Sequence, residues 1–230
     1  MLLISVDTSG RNGSVALCRG DADSFETLQL KSLEGGTYSA RLMPAIAELL
    51  EQNNFKKTDL GGFVVVSGPG SFTGLRVGLA TVKGLCEIFQ QPLATVSMLE
   101  ALAMTYGGGA GVVTAVLDAG RSEVYVGQYR IPSGQAMVIH EWIAKLEEFA
   151  SNTAGIGGEL LTPDAKVADA LRTAGSDVHV VQALRADDIG RIGSRKLLSG
   201  EVADPATVDV NYIRRSDAEI FSARPLVSES

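Results

Sequence analysis

One unit occurs twice in this chain, and the two copies constrain the fold more than any other feature. Ile4-Ser5-Val6-Asp7-Thr8-Ser9-Gly10-Arg11 leads into Val15-Ala16-Leu17, and Ala115-Val116-Leu117-Asp118-Ala119-Gly120-Arg121 leads into Val124-Tyr125-Val126. Each copy is an apolar strand ending in Asp, a turn of small residues carrying Gly-Arg, and a returning strand. The copies lie about half a chain apart, and the glycine cluster Gly107-Gly108-Gly109-Ala110-Gly111 stands just before the second, where a linker is expected. The economical reading is a duplicated, two-lobed α/β chain. A first lobe spans residues 1–110 and a second, reduced lobe spans residues 111–230, its C-terminal segment returning to the first.

Apolar spacing supplies the other elements. A strand is expected over Phe25–Leu30. Ser39–Gln52 carries Leu42, Ile46, Leu49 and Met43, Ala47, Leu50 at spacings of four and three, which predicts an amphipathic helix capped by Ser39. Phe63-Val64-Val65-Val66 reads as a strand buried on both faces. It ends in Gly68-Pro69-Gly70-Ser71-Phe72-Thr73-Gly74 and passes into a helix reaching Phe89. On that helix Phe72, Leu75, Leu79, Val82, Cys86 and Phe89 form one seam, and Gly74 and Gly78 lie one turn apart on another face, where a second helix could approach closely. Further helices are expected at Ser97–Tyr106, Trp142–Phe149, Asp164–Thr173 and Asp187–Leu198, and strands at Val112–Leu117 and Val124–Tyr129.

Composition excludes several functions. The net charge of −7 opposes unassisted nucleic-acid binding, since affinity for phosphates comes largely from Lys and Arg displacing counterions. His140 and His179 are too far apart for a metal-binding pair, and Cys18 and Cys86 lack metal-ligand spacing and read as small buried hydrophobes. The opening apolar run, Leu2–Val6, is short for a signal peptide or a membrane span, so a cytoplasmic location without membrane attachment is expected. No GxSxG elbow or isolated carboxylate pair suggests nucleophilic catalysis.

Two turns admit an anion. Asp7-Thr8-Ser9-Gly10, and Asp118 in the second copy, suit either a phosphate-binding hairpin with a metal held by the Asp, or a turn in which the Asp caps its own backbone. The Gly68–Gly74 turn precedes a helix N-terminus, yet it matches neither GxGxxG nor the GK[ST] of a P-loop, and a tight strand-to-helix connection explains its glycines. Arg76, Lys83, Arg214, Arg215 and Arg224 are locally basic and are either a solvated face or contacts for phosphate or an acidic partner.

These residues also carry a resemblance. ISVDTSGRNGSVALCRG, YSARLMPAIAELL, SGPGSFTGLRVGLATVKGL, LDAGRSEVYVGQY and VNYIRRSDAE, in that order, resemble the TsaB (YeaZ) family over nearly the whole chain. The resemblance implies an α/β actin-like ATPase (ASKHA) fold of two duplicated lobes with mixed sheets flanked by helices. It implies a non-catalytic subunit that binds and activates TsaD for threonylcarbamoyl transfer to the adenosine beside the anticodon in tRNAs reading codons that start with A. It further implies that TsaE supports turnover, that tRNA is reached only through the complex, and that the isolated chain can form a homodimer. No cofactor is expected on this chain alone, although ATP or ADP is compatible with the TsaB–TsaD complex.

The same resemblance places the TsaD interface on the first two helices, with Leu42, Met43, Ile46, Leu75 and Leu79 supplying apolar contact and Gly74 and Gly78 close approach. Tyr38 stands where relatives often have His, which weakens any direct role for that position. The reading from another class is a stand-alone nucleotide-dependent small-molecule kinase using Asp7 and Asp118 around ATP.

Overall fold

The computed structural model describes residues 1–106, 111–132, 135–211 and 213. Its centre is β1 (Leu2–Asp7), six consecutive buried residues. It pairs antiparallel with β2 (Asn12–Gly20) and parallel with β4 (Leu60–Gly68). With β3 (Phe25–Glu34) and β5 (Leu93–Ser97), these strands form a five-stranded sheet in the order β3-β2-β1-β4-β5.

The second half repeats this plan. β6 (Val112–Gly120) pairs antiparallel with β7 (Glu123–Arg130) and parallel with β9 (Glu159–Thr162), while β8 (Met137–Lys145) and β10 (His179–Val180) lie at the edges. The order β8-β7-β6-β9-β10 matches the first sheet strand for strand.

The helices complete the duplication and also cross it. α1 (Tyr38–Gln52) and α2 (Phe72–Phe89) cover one face of the first sheet, as α4 (Leu146–Ser151) and α5 (Ala165–Thr173) cover one face of the second. The third helix of each half packs across the divide. α3 (Met98–Thr105) buries Leu99, Leu102 and Ala103 with Val113, Ala115, Tyr129 and Leu161 of the second sheet. α6 (Ala186–Ser199) covers β1, β2, β4 and β5 of the first. Gly193 makes that approach feasible, because a Cβ there would lie 2.2 Å from Cγ1 of Val64. Ala186, Ile189, Ile192 and Leu197 join the first-sheet core, and each fully buried large side chain contributes roughly 1.5–3 kcal/mol.

Several expectations change. Trp142 and Ile143 lie in β8 rather than in a helix, and α4 begins only at Leu146. The β-branched and aromatic run Val138-Ile139-His140-Glu141-Trp142-Ile143 favours pairing with β7 over helix formation. α1 starts one residue early, with Thr37 as its cap residue instead of Ser39; the Thr37 hydroxyl donates to the Glu34 carbonyl at 2.6 Å. Residues 107–110 of the expected linker lie outside the described residues. Among the described residues, no helix is long and apolar enough to cross a membrane.

Candidate functional site

The first Asp-ended hairpin is closed on itself. Asp7 Oδ1 accepts from the Ser9 amide at 2.9 Å and from the Ser9 hydroxyl at 2.6 Å. The Ser9 carbonyl in turn accepts from the Ser71 amide at 2.6 Å, and the Tyr38 hydroxyl donates to the Gly10 carbonyl at 2.7 Å. Asp7, Thr8 and Ser9 are all buried. Burial pushes the Asp7 carboxyl above the ordinary aspartate range, against the two hydrogen bonds from Ser9 that pull it down. A phosphate cradle needs free amides facing the ligand, and the Ser9 amide is already taken by Asp7. The observed arrangement is therefore the self-capping turn.

The second hairpin makes the same turn. The Gly120 amide donates to Asp118 Oδ1 at 2.9 Å, as the Ser9 amide does to Asp7, and the chain reverses through Arg121 and Ser122 in left-handed conformations. Here the Asp is exposed, and its own amide donates to Asp164 Oδ2 at 2.8 Å at the head of α5.

The glycines of α2 receive the first hairpin. A Cβ on Gly74 would lie 2.0 Å from the Thr8 carbonyl oxygen, and one on Gly78 would lie 2.2 Å from Thr8 Oγ1. The close neighbour that the Gly74/Gly78 spacing calls for is thus the chain's own turn, not a second helix. Leu42, Ile46, Leu75 and Leu79 are likewise buried in the first-sheet core. Six of the seven expected interface residues face inward, because one apolar stripe on each helix is consumed by the sheet below. Met43, 48% exposed, is the exception.

The outer face of these helices carries exposed apolar residues among charged ones. Phe72, Arg76, Ala80, Gly84 and Ile88, four residues apart, run along the exposed ridge of α2; Phe72 is 44% and Ile88 72% exposed. The Arg76 guanidinium lies 4.0 Å from the centre of the Phe72 ring. On α1 the exposed residues include Ala40, Met43, Pro44 and Ala47. Phe72 therefore leaves the inner seam assigned to it. Ile88 was missed, although an apolar residue off a helix's main stripe is the signal for such a position.

Among the basic residues, Lys83 turns inward and donates to the Val208 carbonyl at 2.8 Å, while Arg214, Arg215 and Arg224 lie outside the described residues. Cys18 and Cys86 are buried, and burial pushes both thiols up to about 12, which keeps them protonated and unreactive. Among the described residues no three His, Cys, Asp or Glu side chains gather as metal ligands.

Two like-ordered sheets, each begun by an Asp-ended hairpin and each covered by a helix from the other half, define an α/β protein of the actin-like ATPase class. The activator of 2-hydroxyisocaproyl-CoA dehydratase from Clostridium difficile, solved with bound ADPNP, shares this fold at a TM-score of 0.51 and 8% identity over 87% of this chain and 97% of its own. YeaZ from Pseudomonas aeruginosa superimposes at a TM-score of 0.73 with 23% identity, covering 92% of this chain and 99% of that one. The family model for TsaD, tRNA N6-adenosine threonylcarbamoyltransferase, matches residues 35–194. The tRNA threonylcarbamoyladenosine biosynthesis protein TsaB of Bacillus subtilis (strain 168) is 30% identical over 229 residues, 95% of this chain and 96% of its own. The chain belongs to the TsaB family, within the wider group that the TsaD model describes.

Proposed function

We infer that the chain is a non-catalytic subunit that binds and activates TsaD for threonylcarbamoyl transfer to the adenosine beside the anticodon in tRNAs reading codons that start with A. The observation that carries this reading is the exposure of Met43, Phe72 and Ile88 on the outer face of α1 and α2. An apolar patch on a surface helix pair costs solubility unless something covers it. The TsaD family model matches the residues of both helices, which favours a TsaD subunit with similar helices as the partner. In the isolated chain a second copy can cover the same face. The net charge of −7 assigns the tRNA phosphates to the partner, and TsaE acts on the assembled complex.

The test is formation of threonylcarbamoyladenosine on unmodified tRNA by the synthase, TsaD and TsaE, with and without this chain, scored by nucleoside mass spectrometry. Modification is expected to require the chain, and the chain alone to hydrolyse no ATP. The double substitution Met43→Glu, Ile88→Glu is expected to leave the melting temperature within a few degrees of the parent while abolishing co-purification with TsaD, since both side chains sit on the exposed face. Equal modification without the chain overturns the reading, and ATP turnover by the pure chain points instead to a stand-alone kinase.

A further inference from the structure

After α6 the chain returns over the first sheet as a strap, residues 202–211. Its backbone is held at three points. The Ala203 amide donates to the Leu93 carbonyl on the outer edge of β5 at 2.8 Å, Lys83 of α2 donates to the Val208 carbonyl at 2.8 Å, and the Asn211 amide donates to the Ser67 carbonyl at 2.8 Å. Val210 is buried beneath it. All of these contacts are to the first sheet and its helices.

The end of the strap reaches the other half through Asn211, and two residues further on Ile213 packs against the cluster that α3 forms with the second sheet. Asn211 Nδ2 donates to Glu141 Oε2 on β8 at 3.1 Å. The other carboxylate oxygen, Oε1, accepts from the Ser97 hydroxyl at 3.0 Å and from the Tyr129 hydroxyl. Ser97 is the cap residue of α3, its hydroxyl accepting from the Glu100 amide, and Glu100 pairs at 2.9 Å with Lys196 of α6. One carboxylate thus gathers donors from the strap, from the junction of β5 with α3, and from β7.

The geometry points to Glu141 as the positioning residue that clasps the strap and the start of α3 to the second sheet, and so fixes how the two halves sit against each other. A carboxylate accepting several hydrogen bonds is stronger than a neutral acceptor in the same place. Removing it leaves the part-buried Ser97 and Tyr129 hydroxyls without this acceptor and releases the exposed Asn211 side-chain amide to water. The apolar packing of α3 holds the halves together; Glu141 sets their register and seats the strap.

The test is amide hydrogen exchange on the full-length chain, read by mass spectrometry over residues 202–211, 97–105 and, as a remote reference, α5. Asn211→Ala cuts the strap link alone, and is expected to speed exchange in 202–211 roughly tenfold with 97–105 unchanged. Glu141→Ala is expected to speed both segments by at least that factor and to leave α5 at the parent rate. Glu141→Leu keeps a side chain of similar bulk with no acceptor for any of the three donors, so both segments lose protection even if the alanine variant folds poorly. Parent-like exchange in both segments for Glu141→Leu, or an increase for Glu141→Ala that is equal in α5, overturns the assignment.

Discussion

At the residue scale, Asp7 is a carboxyl kept in a buried turn by its own neighbour. Because the folded-state carboxyl is a weaker acid than the unfolded one, protonation favours the fold. That stabilisation is complete below roughly pH 3.9 and is lost as the pH rises through the higher folded value. Asn at this position keeps the Oδ1 acceptor for both Ser9 donors and carries no charge. Asp7→Asn is therefore expected to be more stable than the parent in urea denaturation at pH 7, with the advantage narrowing as the pH falls toward 4. A variant less stable than the parent at pH 7 shows that the ionised carboxylate is needed. The Asp-small-small-Gly pattern made a tight turn legible from the sequence. Self-capping was one of the two readings the sequence left open; the burial under α2 and Tyr38 that accompanies it is supplied by residues 28 or more positions away.

At the scale of elements, α2 carries two faces that sequence spacing alone does not tell apart. Gly74 and Gly78 mark a close approach correctly, and only the structure identifies Thr8 as what approaches. A side chain at Gly78 therefore strains the fold before it affects any partner. Gly78→Ala is expected to cost roughly 1–3 kcal/mol in chemical denaturation, as overpacked cores do. Thr8→Ala introduced alongside it removes Oγ1, so the pair should lose clearly less than the sum of the single changes. Strict additivity means that the hairpin does not rest on the glycines. β8 shows the opposite failure: Leu146 and Phe149 have helical spacing and do lie in α4, but they drew the sequence-based helix back over a strand whose outer residues are too exposed to alternate cleanly.

At the scale of the molecule, the repeated Asp-ended hairpin was enough to expect a duplicated, two-lobed α/β chain. It was not enough to show that α3 and α6 change places, because that exchange leaves no mark on apolar spacing. The exchange makes the halves interdependent. A chain ending at Tyr106 lacks α6, so the face of the first sheet around Ser5, Cys18 and Val64 is uncovered. Such a fragment is expected to give a collapsed, poorly dispersed amide NMR spectrum and to recover native dispersion only when mixed with residues 107–230. A well-dispersed spectrum from the fragment alone would falsify this interdependence.

The same exchange sets an order of events on the ribosome. β1, residues 2–7, leaves the exit tunnel long before the helix that covers one of its faces, residues 186–199. At about 5–20 residues per second, a strand buried at all six positions waits on the order of ten seconds or more for its lid. The nascent chain is in that interval a natural client for holding chaperones.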